Sequence, residues 1–241
     1  MKQIVVLNKN KHRWHSFEAG KLSNSDSQHI CPVYPAEFHA VAGDCPIVFA
    51  KSKDGERLES CAMLGIKPGK NLFWQEGKWQ GNYIPATLRA YPFYLQYRDN
   101  NPKSAVVCID SSALSPAEPR GSGHKLFKES GEPSQHLASA RDLLQKIHQQ
   151  KMQGKEFIHC LIEMDLLQEQ VVLVDLPGNT KHQLSGVFCI SEKRLNELNG
   201  RDILTLRKCG YLAYIYAHIF SLKQSGNLSH LFNKYHARSL H

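Results

Sequence analysis

Three features of the sequence predict an α+β fold, with mainly antiparallel sheet in the first half and a helix–hairpin–helix second half. First, short β-branched and aromatic runs between Gln3 and Asp110 are cut by tight-turn residues, among them Asp54-Gly55, Glu76-Gly77 and Asn100-Asn101. Second, the composition changes after the Ser/Pro/Gly-rich stretch Ser111–Gly123, and apolar residues then recur at helical spacing. Third, strands and helices do not alternate as βαβ units, which argues against a parallel sheet. No long linker divides the halves, so one domain over residues 1–241 is expected, with a flexible surface loop at about 111–123.

The elements follow in order. Gln3–Leu7 is β-branched and reads as a strand, and Ser23–Gln28 as a polar loop. Pro35–Ala42 opens on proline and predicts one or two helical turns. Pro46–Lys51 and Leu58–Leu64 form a strand pair around Asp54-Gly55, where glycine accepts positive φ. Trp74 and Trp79 flank the turn at Glu76-Gly77, and Pro85 opens a short helix within Ile84–Tyr91. Phe93–Tyr97 and Ala105–Asp110 make a further strand pair. Leu137, Ala140, Leu143, Leu144 and Ile147 share one face of a helix over Ser134–Gln153, and Phe157–Leu167 predicts a second helix. Gln170–Leu176 and His182–Ile190 read as a hairpin turning at Pro177-Gly178-Asn179. Ser191 is placed to cap a helix over Glu192–Leu198. Asp202–Lys223 predicts a long apolar helix and Asn227–Tyr235 a short terminal one.

The seven cysteines are widely spaced and none forms a C-x-x-C pair. Most sit in apolar runs such as AVVCID, so all seven are expected as free thiols, small buried hydrophobes of a reducing compartment, with a reactive thiol as the other reading. No secretory signal and no window long enough to span a bilayer is present, which predicts a cytoplasmic location without membrane insertion. The net charge of +8 weakly favours anionic partners, but the basic residues are dispersed and no nucleic-acid signature accompanies them.

Phosphate loops, dinucleotide fingerprints, nucleophile elbows and H-E-x-x-H are absent. His12 and His15 stand three apart without a carboxylate or cysteine to complete a site, so a solvated pair is expected, with no metal and no cofactor. His218 lies in the apolar run YLAYIYAHIFSL. It reads either as a core histidine bonded to a neighbouring carboxylate or carbonyl, or as a general base in a pocket. Glu37, Asp110 and Arg89 offer the same choice: a buried ion pair of Arg89 with Glu37 or Asp110 that fixes the core, or a cleft that includes His218. Trp79, Tyr83 and Tyr91, with Trp74, suit a ligand cleft or an aromatic core.

The ordered blocks MLGIKPGKNLFW, YIPATLRAYPF, LFKESGEPS, GVFCISEKRLNEL and GYLAYIYAHIFSL resemble the SapC family of bacterial proteins. That family takes its name from surface-layer protein loci, and the resemblance runs from VLNKNKH to GNLSHLF. Two positions depart from its pattern: Cys45 stands where an aromatic commonly precedes PIVF, and Ala90 where a second arginine often stands. The resemblance carries over no catalytic residue. It implies an accessory or interaction protein of surface-layer or envelope substrate handling, with protein partners from envelope or secretion pathways. An enzyme or small-ligand binder using a Glu37, Arg89, Asp110 and His218 cleft is the alternative.

Overall fold

The computed structural model describes residues 3–18, 22–52, 55–97, 104–116, 123–176 and 180–239. Its first elements are β1 (Ile4–Val6), β2 (His15–Phe17), β3 (Ile30–Pro32), α1 (Phe38–Val41), β4 (Ile47–Lys51) and β5 (Leu58–Met63). Then come β6 (Trp74–Gln75), β7 (Lys78–Trp79), α2 (Ala86–Arg89), β8 (Phe93–Tyr97), β9 (Ala105–Asp110), β10 (Leu114–Pro116) and β11 (His124–Lys125). The chain closes with α3 (Gln135–Glu163), β12 (Leu167–Leu176), β13 (Thr180–Ile190), α4 (Glu192–Asn196), α5 (Gly200–Lys208), α6 (Tyr211–Ser221) and α7 (Ser225–Ser239). Every strand pairing among the described residues is antiparallel, so the predicted α+β class holds.

The chain packs as two compact units, each assembled from two stretches: Met1–Leu22 with Ala86–Gln149, and Ser23–Pro85 with Gln150–His241. In the first unit β9 lies between β1 and β8, and β2 between β10 and β11. Its core gathers Phe17, Phe93, Ile109, Leu126 and Phe127, with Leu137 and Leu144 from the start of α3. Phe17 and Phe93 meet edge to face at 4.8 Å. The chain crosses Ser16 so closely at Gly123 that a Cβ there would stand 2.7 Å from the Ser16 hydroxyl.

The second unit carries a five-stranded sheet in the order β12-β13-β4-β5-β3. The hairpin of the second half is therefore stitched to the strands of the first. The joint is narrow: β13 pairs with β4 only at Val187↔Ala50 and Phe188↔Phe49. Beyond it β12 and β13 continue as a two-stranded arm, and α7 packs on β12. Val174 is sealed on one face of the arm while Leu173 stays exposed, as strand alternation requires. Phe38, Phe49 and Phe157 are fully buried here, each contributing about 1.5–3 kcal/mol by leaving water. The Phe157 ring lies edge-on to Phe38, Tyr211 and Tyr214.

Several expectations are corrected. The two helices expected over Ser134–Gln153 and Phe157–Leu167 are one, α3, and Leu167 begins β12. Gly154 does not break the helix. It faces Pro35 and Tyr34, where a Cβ would press to 3.3 Å on Pro35 Cδ. The helix expected over Asp202–Lys223 is instead two, because Gly210 adopts φ 73°, a left-handed turn that closes α5. Ser23–Gln28 is not wholly loop, since Leu22–Ser25 is a turn of 3-10 helix. The stretch 111–123 holds a 3-10 turn at Ser111–Ala113 and strand β10; residues 117–122 lie outside the described residues, as do Asp54, Asn100-Asn101 and 177–179. The Glu76-Gly77 turn is as expected, with both residues at positive φ. Ser191 does cap α4, accepting from the Arg194 backbone N–H at 3.4 Å.

Candidate functional site

Glu37, Trp79 and Tyr83 come together in the second unit around Asp44, which is not among the site residues the sequence predicts. The 3-10 turn Pro35–Glu37 buries the Glu37 carboxylate. Glu37 Oε1 accepts from the Tyr34 backbone N–H at 3.2 Å, and Oε2 from the Tyr83 hydroxyl at 3.0 Å. Asp44 Oδ2 accepts from the Tyr83 backbone N–H at 2.7 Å, and Oδ1 from Asn82 Nδ2 at 2.8 Å. The Asp44 carbonyl accepts from Asn227 Nδ2 at 2.7 Å. Trp79 Nε1 donates to the Tyr83 carbonyl at 3.0 Å while its ring stacks on Phe73 at 5.4 Å. Tyr83 is thus gripped at its N–H, its carbonyl and its hydroxyl. Gly81 sits inside the grip, where a Cβ would come within 2.8 Å of Asp44 Oδ2. These contacts hold the 79–83 segment in one shape and leave the two carboxylates as acceptors of structural hydrogen bonds.

His218 belongs to the same unit but to a different environment. Its ring is fully buried and tilted against Phe49 at 5.2 Å. Neither ring nitrogen has a hydrogen-bond partner among the described residues, which corrects the expectation of a bonded core histidine. Burial lowers its pKa to about 3, so the imidazole is neutral across the physiological range. One helical turn on, Ser221 donates to the His218 carbonyl at 2.6 Å and accepts from the Ile47 N–H at 2.9 Å, tying α6 to β4.

Arg89, Asp110 and Tyr91 belong to the first unit. Arg89 ends α2 and is exposed, which corrects the expectation of a buried guanidinium in an ion pair that fixes the core. Asp110 is fully buried and caps the turn after β9, accepting from the Ser112 N–H at 3.1 Å and hydroxyl at 2.7 Å. Its Oδ2 has no partner among the described residues. Tyr91 precedes Pro92 through a cis peptide bond.

The sequence gives no direct sign of the second unit's groove. The end of β4 and the start of β5 face α3 across two adjoining cavities of about 440 and 450 Å³, which share Arg57, Leu58, Lys155 and Ile158. The first also takes Tyr34, Ser60 and Lys151, and the second Lys51, Ile162 and Phe188. The cations Lys51, Arg57, Lys151 and Lys155 stand against the carboxylates Glu56 and Glu59. Lys151 reaches Glu59 at 3.8 Å. Burial, then the nearby Glu59 and Glu37, push the Tyr34 phenol well above its ordinary pKa, so its proton is retained. The one sequence signal is the spacing of Lys151, Lys155, Ile158 and Ile162, which share one face of α3. The first unit holds a further cavity of about 900 Å³ between β1, β8, β9 and the start of α3.

Among the described residues no group of three His, Cys, Asp or Glu is placed to hold a metal, and no helix is long and apolar enough to cross a membrane. His12 and His15 meet edge to face at 5.6 Å, and His12 Nδ1 accepts from the Asn8 N–H at 2.9 Å. All seven cysteines are free thiols, Cys209 alone exposed. A family model described as SapC matches residues 7–228. Comparison with curated proteins and with solved structures gave no match.

Proposed function

The chain belongs to the SapC family, and from that premise we propose that it is a non-catalytic interaction protein of the bacterial cytoplasm, serving surface-layer or envelope substrate handling. Its binding face is the groove between β4, β5 and α3. The observation that carries this reading is the character of that groove: an apolar floor of Leu58, Ile158 and Phe188 edged by lysine and arginine. Such a surface supplies contact area and charge selection. The free thiols support a reducing compartment.

The rival reading, an enzyme or small-ligand binder, draws on Glu37, Arg89, Asp110 and His218. Glu37 and Asp110 accept structural hydrogen bonds, and His218 is sealed and neutral, a poor base. The test is affinity purification from the native cell with the wild-type chain and with Lys155→Glu. Lys155 is exposed, so the substitution leaves the fold intact. Envelope or secretion proteins should be recovered with the wild type and lost with the variant. Equal recovery by both, or a small molecule that the chain converts, overturns the proposal.

A further inference from the structure

We infer that Cys160 and Cys209 are a reversible redox site, whose two thiols hydrogen peroxide joins into a disulfide that ties α3 to the end of α5. This goes beyond the groove reading and does not depend on it. The seven cysteines are not equivalent. Cys31, Cys45, Cys61, Cys108 and Cys189 are buried, Cys160 is half-buried and Cys209 is exposed. Burial raises the thiol pKa of Cys45, Cys61, Cys108 and Cys189, which keeps them protonated as well as out of reach of solvent. An oxidant arriving from water therefore meets Cys209 first, and the question is which thiol stands beside it.

The aromatic joint between α3 and α6 brings Cys160 there. Phe157 and Cys160 stand three apart on one face of α3. The Phe157 ring meets the Tyr211 ring edge to face at 5.1 Å. Tyr211 opens α6, and Cys209 closes α5 two residues earlier, across the left-handed Gly210. Tyr211 thus carries Cys209 to the turn of α3 that holds Cys160. The electrostatics agree. The Tyr211 phenol is pushed up by burial and then by Cys209, Cys160 and Glu156, so all three lie around it. The Cys160 thiol is pushed up by burial and then by Cys209, ahead of Glu163, three residues along its own helix, and of Asp202 on α5. Coulomb interaction falls with distance, which places the Cys209 sulfur close to that of Cys160.

The chemistry runs in two steps. The Cys209 thiolate attacks one oxygen of hydrogen peroxide; the O–O bond breaks, a sulfenic acid forms on Cys209, and hydroxide leaves to take up the proton the thiol released. The Cys160 thiol then loses its proton and attacks the Cys209 sulfur; the S–O bond breaks, the S–S bond forms and a second water leaves. The two sulfurs give up two electrons and the peroxide accepts them. A dithiol reductant reverses the reaction by exchange through a mixed disulfide. The bond closes a loop that contains β12, β13, α4 and α5, so the oxidised chain has fewer unfolded conformations to gain.

The test treats the full, reduced chain with hydrogen peroxide, blocks remaining thiols with iodoacetamide and maps the digest by mass spectrometry without reduction. A peptide pair linked through Cys160 and Cys209 should appear in the monomer and vanish after dithiothreitol. Cys209→Ser should abolish the link and leave Cys160 alkylated. Cys160→Ser should stop the reaction at the Cys209 sulfenic acid, which dimedone then labels several-fold more than in the wild type. Cys160→Ala repeats that measurement at this half-buried position, and circular dichroism checks that each variant folds. The oxidised wild type should melt at a higher temperature than the reduced one, a difference absent from the variants. A wild-type chain whose Cys160 stays fully alkylated while Cys209 goes on to sulfinic acid or links two chains overturns the inference. So does a link from Cys209 to any other cysteine, or equal dimedone labelling of the wild type and Cys160→Ser.

Discussion

The two units bury different kinds of side chain. The first closes over apolar residues, with Ser16 and Asp110 as its buried polar groups. The second buries Glu37, Asp44, Asn71, Gln75 and His218 beside a larger set of apolar side chains. An apolar cluster accepts many arrangements of similar volume, so the first unit is specified by pattern. A buried carboxylate accepts only the arrangement that supplies its donors, so the grip on Tyr83 specifies one shape for the segment before α2. The contrast separates what patterning determines from what hydrogen bonding determines.

We propose that the two units unfold together as one domain, and the coarsest way to break the contrast is to heat the protein. Calorimetry should show one transition whose van't Hoff and calorimetric enthalpies agree. Two transitions would mean that the units are stabilised independently. Next in size is Phe157→Ala, which empties a fully buried aromatic site touched by the rings of Phe38, Phe49, Tyr211 and Tyr214. A loss of about 3–5 kcal/mol is expected in a urea titration. Asp44→Ala should cost about 3 kcal/mol, because the Tyr83 N–H and the Asn82 amide lose a charged acceptor together. If instead it costs less than an apolar truncation such as Leu144→Ala in the first unit, the polar grip is decoration and the contrast fails.

The pH dependence sharpens the comparison further. His218 is held neutral in the folded state with its pKa lowered to about 3, whereas the unfolded chain takes up the proton near pH 6.5. The unfolded state therefore binds more protons as pH falls, and stability present above about pH 6.5 is lost on acidification towards pH 3. Between pH 7 and pH 5 the loss should be about 2 kcal/mol, and His218→Phe should remove it. A wild-type protein equally stable at both values would refute the buried neutral imidazole. The smallest effect is that of Gly81→Ala, where the new methyl would crowd Asp44 and the Trp79 ring nitrogen. About 1–2 kcal/mol is expected, reduced when Asp44→Ala is already present and only the Trp79 contact remains.

Much of the fold was legible because its signals are local. The Glu76-Gly77 turn, the Ser191 cap and the β4–β5 pair each depend on residues close together in the sequence. The errors came at glycines, where the same residue answers to different causes. Gly154 falls between the two helices the sequence predicts, but it is small because Pro35 lies against it, a neighbour far away in the chain. Gly210 lies inside the single helix that the sequence predicts over Asp202–Lys223, although its left-handed conformation ends α5. Of the candidate site, Glu37 and Tyr83 are both legible as candidates, whereas Asp44 stands before an apolar strand and meets its donors, Asn82 and Tyr83, far along the chain. Beyond the stripe on α3, the groove is illegible in the sequence for a plainer reason. Its basic edge is assembled from Lys51 and Arg57 on one side and Lys151 and Lys155 on the other, and dispersed charge in a sequence carries no sign of where it will be collected.

The narrow joint between β13 and β4 has a kinetic consequence. Two cross-strand residue pairs anchor the β12–β13 hairpin to the rest of its sheet, while the outer arm holds to itself and to α7. Amides between Val172 and Leu176 can therefore open to solvent by a local event that leaves β4 and β5 paired. In a deuterium-exchange time course they should take up label earlier than those of Ile47–Lys51. Slowing of that uptake would report, at a distance from any groove, that α7 had been pressed onto the arm.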